Sequence, residues 1–244
     1  MSRSMLLVFL PQAKQWARLV RGLTVARSSP QAGQAKRKAL AVASGTKSLG
    51  RFGCPRGDVL YLALEDTPRR MQSRLQKILR RTHGSAQGLF LEYVCPLLGQ
   101  GLENHLRGWM PEHPETRLIV IDTLAKVRPP RGRHEESYAA DYRVMASLKA
   151  IADECRTSLV VITHKRKQAD ADPLAEVSGT MGLTGAADAI LVLKRERGRA
   201  GGGQLRGPHD SGSLRNYRPL GRRRRRVLGT KKNGPGLGAY RRVN

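Results

Sequence analysis

Aromatic side chains make up only 5% of the 244 residues, which leaves few platforms on which unstacked bases could rest. Cysteine is scarce too: Cys54, Cys95 and Cys155 are odd in number, scattered and without a C-x-x-C pair, so neither a disulfide framework nor a zinc site is indicated. No apolar run is long. The stretch at residues 5–10 is shorter than a signal-peptide core and far short of a membrane span, and no A-x-A-like cleavage site follows it. The expectation is a soluble cytoplasmic protein without membrane contact. Acidic residues are few, 19 against 45 Lys and Arg, giving a net charge of +26.

That excess sits at the ends. Residues 1–58 carry 11 basic and 1 acidic side chains and residues 198–244 carry 13 and 1, whereas residues 59–197 carry 21 and 17. The centre has the composition of an ordinary globular domain, and the ends have that of segments that meet a polyanion, which makes DNA the expected partner. The expected organisation is a basic N-terminal segment at 1–22, one domain at 23–197, and a Gly/Arg-rich tail at 198–244. The tail holds 11 Gly and the arginine run 222–226, so little independent fold is expected of it. A DNA-binding arm, an altered reading frame and a merely solvated tail all fit that composition.

Within the central part, short apolar runs alternate with longer amphipathic segments, the pattern of an α/β domain with a mostly parallel sheet flanked by helices. Strands are expected at 23–26, 59–64, 89–94, 118–122, 158–163 and 189–193. Thr67 and Pro68 sign the start of a helix whose Met71, Leu75, Ile78 and Leu79 share a face. A second helix at 138–155 places Tyr138, Tyr142, Met145, Leu148, Ala152 and Cys155 at core spacing. PPRGRHEE at 129–136 reads as an exposed loop.

Three of the strands end in polar residues. LIVID ends on Asp122, at the carboxyl edge where open α/β sheets bind ligands, and a carboxylate there can hold the water shell of Mg²⁺ on a nucleotide. It can equally be a helix cap. VLYLAL is followed by Glu65 and Asp66, either of which could polarise a water or simply favour the dipole of the next helix. VVIT is followed by His164, which as a lone histidine would be structural, and which gains interest only from the other two strand ends.

Together with SGTMGLTGAAD at 178–188, the order and spacing of these blocks resemble the RecA-like P-loop ATPases of the plasmid and phage replicative helicase type, of the AAA family. The resemblance runs from about residue 23 to 198. It implies a RecA-like core and ATP binding and hydrolysis coupled to DNA in the replication of a mobile element. It also implies Mg²⁺ and ATP as cofactors, and self-association into a ring. Glu65 would be the catalytic carboxylate, Asp122 the Mg²⁺ residue acting through water, and His164 part of the segment coupling nucleotide to DNA.

The phosphate loop departs from the family pattern G-x-x-x-x-G-K-[ST]. In the window 28–35, Pro30 and Gly33 fit, but Ser28 replaces the first Gly, Gln34 the Lys and Ala35 the hydroxyl residue. A second window, Gly45-Thr46-Lys47-Ser48, ends in Lys-Ser but lacks the glycines that turn backbone amides inward. Loss of the lysine costs about 2 to 5 kcal/mol, roughly 30- to 3,000-fold in affinity. The alternative to an ATPase is therefore a non-hydrolysing basic nucleic-acid-binding or assembly subunit on the same scaffold. No G-x-G-x-x-G follows the first strand, which disfavours a dinucleotide-binding dehydrogenase.

Overall fold

Apolar residues recurring at period two and at helical period alternate along the chain and set its elements. The computed structural model describes residues 4–9, 32–48, 52–82, 84–132, 135–164, 182–193, 203–206 and 215–217. The first half comprises β1 (Ser4–Phe9), α1 (Ala32–Ser44), β2 (Lys47–Ser48), β3 (Phe52–Gly53), β4 (Asp58–Ala63), α2 (Pro68–Thr82) and β5 (Leu89–Glu92). There follow α3 (Leu102–Glu112), β6 (Thr116–Asp122), α4 (Leu124–Val127), α5 (Ser137–Glu154), β7 (Ser158–His164), α6 (Gly182–Gly185), β8 (Ala189–Leu193), β9 (Gly203–Arg206) and β10 (Arg215–Tyr217).

The main sheet has the order β10-β9-β8-β1-β7-β6-β4-β5. Its β7-β6-β4-β5 part is parallel, as the near-continuous Val/Ile/Leu composition predicts for strands buried on both faces. Leu60, Leu62, Ile119 and Ile121 point to one side, against α3 and α5, while Val59, Tyr61, Ala63, Leu118 and Val120 point to the other, against α1 and α2. Helices on both faces of a parallel sheet give the expected α/β, RecA-like architecture.

The expected first strand, 23–26, lies outside the described residues. The first described strand is instead β1, from the segment expected to precede the domain; it runs antiparallel between β7 and β8. Its sequence, SMLLVF, is apolar enough to fill an interior position. Two short stretches of the tail, β9 and β10, extend the sheet antiparallel from β8.

Thr67 accepts from the Arg70 amide at the start of α2, and Pro68 opens that helix as expected. Gly45 ends α1. Its φ of 67° is the left-handed turn that closes a helix, and the amides of Gly45 and Thr46 return to Val42 and Ala41. The window 45–48 thus follows a helix and runs into the β2–β3 hairpin, so it does not form a loop leading into a helix, as a phosphate loop must.

Candidate functional site

The strand order reverses between β4 and β6: β5 lies beyond β4, and β6 lies on its other side. Such a switch point opens a crevice outside the carboxyl ends of the two strands. Register fixes what stands there. Ala63 pairs with Asp122 and the Leu64 amide donates to the Asp122 carbonyl (2.8 Å), so Glu65 and Asp66 emerge beside Asp122 and Thr123. Asp122 in turn pairs with Ile162, which brings the backbone of Thr163 and His164 to the same edge. The three strand ends singled out in the sequence therefore meet. The side chain of His164 lies outside the described residues.

Period two decides where Asp122 points. It follows Leu118 and Val120 on the α1 side, the side from which Tyr61 also projects. Tyr61 stands opposite Val120, one diagonal from Asp122, and its hydroxyl donates to Asp122 Oδ2 at 2.6 Å. Burial raises the Tyr61 phenol well above its ordinary pKa, and the neighbouring Asp122 charge adds to this, so the hydroxyl remains a donor.

Into this pair reaches a side chain for which the loop motif has no place. Lys36, the fifth residue of α1, is fully buried, and its ammonium donates to Asp122 Oδ2 at 3.0 Å and to the Tyr61 hydroxyl at 3.2 Å. It also lies 3.1 Å from Asp66 Oδ2. Arg74 Nη1 donates to both Asp66 oxygens (2.5 and 2.6 Å), with Arg70 at 3.5 Å. Burial raises the Asp66 pKa, but hydrogen bonds and charge from Lys36 and Arg74 outweigh it, and the carboxyl stays below its ordinary 3.8. Glu65, exposed at the rim, accepts from the fully buried Thr123 hydroxyl at 2.8 Å.

Of the expected loop residues, Gly33, Gln34 and Ala35 form the first turn of α1, whereas Ser28 and Pro30 lie outside the described residues. Ala35 is buried at 2% exposure against the apolar face of the sheet, as a methyl and not a ligand. Because Lys36 touches Asp122, α1 begins at this same edge and presents its free amides there, as anion sites do. The signal for Lys36 is present in the sequence: it continues the buried Leu40 and Ala43 stripe of α1 by one turn, where a solvated lysine has no place.

An ATPase fold of this kind uses nucleotide and Mg²⁺ in general. At Asp122 of this chain the fit to Mg²⁺ is poor, because Oδ2 already accepts from an ammonium and a phenol and Ala35 supplies no hydroxyl. Among the described residues no group of three or more His, Cys, Asp or Glu could hold a metal ion. The three cysteines are free, and burial pushes the Cys95 thiol up to about 11, as suits packing residues. Among the described residues no helix is long and apolar enough to cross a membrane.

A family model described as an AAA domain matches residues 35–170, more than half of the chain. Among solved structures, the ATPase domain of a helicase is similar in fold, with a TM-score of 0.52 at 13% identity over 76% of each chain. No curated protein matches in sequence.

Proposed function

The chain belongs to the AAA-domain family, and from that premise we propose that it binds ATP at the β4–β6 carboxyl edge and couples occupancy of that site to DNA, in the manner of replicative helicase ATPases. The observation that carries this reading is the convergence of Glu65, Asp122 and the start of α1 at one switch point. The amides opening α1 receive the phosphates. Glu65, held by Thr123, orients the attacking water, so its exposure at the rim is an asset for a site completed by a neighbouring subunit in a ring.

Ser28, Gln34 and Ala35 weaken the phosphate loop and slow hydrolysis. The basic stretches 1–22 and 198–244 supply contacts to DNA phosphates, and His164 belongs to the segment that links nucleotide to DNA. DNA-stimulated ATP hydrolysis by the full chain, compared with Glu65→Gln, tests the proposal. Hydrolysis lost in the variant with ATP affinity kept supports it; equal turnover in both proteins removes Glu65 from the mechanism.

The second reading, a non-hydrolysing DNA-binding subunit on the same scaffold, is favoured by one observation: the Lys36–Asp122 pair occupies the carboxylate on which hydrolysis would rely. Under that reading DNA affinity falls steeply with the logarithm of salt concentration and is unchanged by Glu65→Gln.

A further inference from the structure

The buried cluster behind the switch point is electrically closed. Lys36 and Arg74 bring two positive charges, Asp66 and Asp122 two negative ones, and all four are joined by contacts of 2.5 to 3.1 Å. The Lys36 side chain has no exposed surface, and Asp66 and Asp122 are exposed by only 5% and 8%. A divalent ion whose water shell leaned on Asp122 would stand beside an ammonium bonded to the same carboxylate, with no uncompensated negative charge to receive it.

We propose that Lys36 is a built-in counter-ion standing where the carboxylate of Asp122 would otherwise serve a divalent metal, so that this site takes its nucleotide as a metal-free polyphosphate. The inference rests on the proposed nucleotide site but concerns its ligand class. Three features make the lysine a fixture and not a passing contact. Its position is on a helix rather than a loop, its aliphatic stem continues the buried Leu40 and Ala43 stripe, and its ammonium is shared among three partners. A lysine near the positive end of the α1 dipole is unfavourable on its own, and here the two aspartates compensate.

The test has two arms on the full-length chain. In the first, ATP affinity is measured by calorimetry with Mg²⁺ and with EDTA, for the natural chain and for Lys36→Gln, which keeps a donor to Asp122 but removes the charge. The natural chain is expected to differ between the two conditions by less than the roughly fivefold lower end of ordinary site coupling, and Lys36→Gln by tens of fold in favour of Mg²⁺. In the second, Mn²⁺ is titrated without nucleotide and free Mn²⁺ is read by electron paramagnetic resonance. The natural chain is expected to bind none, and Lys36→Gln to gain a site at Asp66 and Asp122.

Stoichiometric Mn²⁺ on the natural chain, or an ATP affinity that collapses in EDTA, overturns the proposal. If Lys36→Gln does not fold, the two measurements on the natural chain still decide. If no ATP binds in either condition, the nucleotide site itself is refuted, and the Mn²⁺ arm alone judges the role of Lys36.

Discussion

The Lys36 ammonium stands 3.0 Å from Asp122 Oδ2, tying the start of α1 to the last residue of β6. Removing one partner of such a buried pair strands a charge. Lys36→Met is therefore expected to lower stability by about 3 to 5 kcal/mol, and adding Asp122→Asn to that variant to recover part of the loss. Urea denaturation of both variants beside the natural chain checks this; a double variant no more stable than Lys36→Met would mean that the two residues are not energetically coupled.

Tyr61 links the same two residues through one hydroxyl, donating to Asp122 and accepting from Lys36. Tyr61→Phe keeps the ring in the apolar face of the sheet and deletes only that oxygen. A loss of about 1.5 to 3 kcal/mol is expected, the range for a hydrogen bond to a charged group. A thermal melt unchanged within error would contradict the bond's contribution.

Thr123 acts on the chemistry only through Glu65, which its hydroxyl holds at 2.8 Å. Thr123→Val preserves shape and removes the donor. The expected outcome is a fall in ATP turnover of about tenfold or more, matching one lost charge-assisted bond, with ATP affinity unchanged. Should affinity fall and turnover per bound ATP persist, Thr123 would be a binding residue instead of a positioning one.

Lys38, on α1 and 4% exposed, gives a pH dependence of definite sign. Burial lowers its pKa from 10.5 to about 8, and the charge of Cys54 opposes this only in part. Between those two values the unfolded chain holds a proton that the folded chain has released, so stability rises with pH from about 8 to 10.5. Denaturation midpoints across this range should climb, and Lys38→Met should flatten the climb; a falling curve in the natural chain would contradict the assignment.

The parallel strands are legible because 118–122 and 158–163 are nearly unbroken runs of Leu, Ile and Val that meet a polar residue where the sheet ends. Helix α3 is not, since Gly108 and Pro111 lie within it and neither favours a helix interior. On α5 the period is right and its outer limit is not: the spacing puts Tyr138 and Tyr142 in the core, but they are 50% and 46% exposed, stacking on one another with centroids 6.2 Å apart. The core is served by Ala140, Val144, Met145, Leu148 and Ile151, one step around the helix.

The site divides in the same way. Glu65 and Asp122 stand out in the sequence because strand ends are fixed by the sheet and can be counted along the chain. Lys36 escapes a motif search because the motif specifies a lysine at one offset, residue 34, whereas burial is decided by angle around the helix. Residues 34 and 36 are about 200° apart on that surface.

The measurement that bears most directly on the account is calorimetric titration of ATP into the full chain and into a variant carrying Ser28→Gly, Gln34→Lys and Ala35→Ser. The account predicts saturable binding by both, with the natural chain weaker by at least about 30-fold, the lower end of the cost of a missing charged partner. Binding by neither would contradict a nucleotide site at the β4–β6 edge, and equal affinity would contradict a weakened phosphate loop.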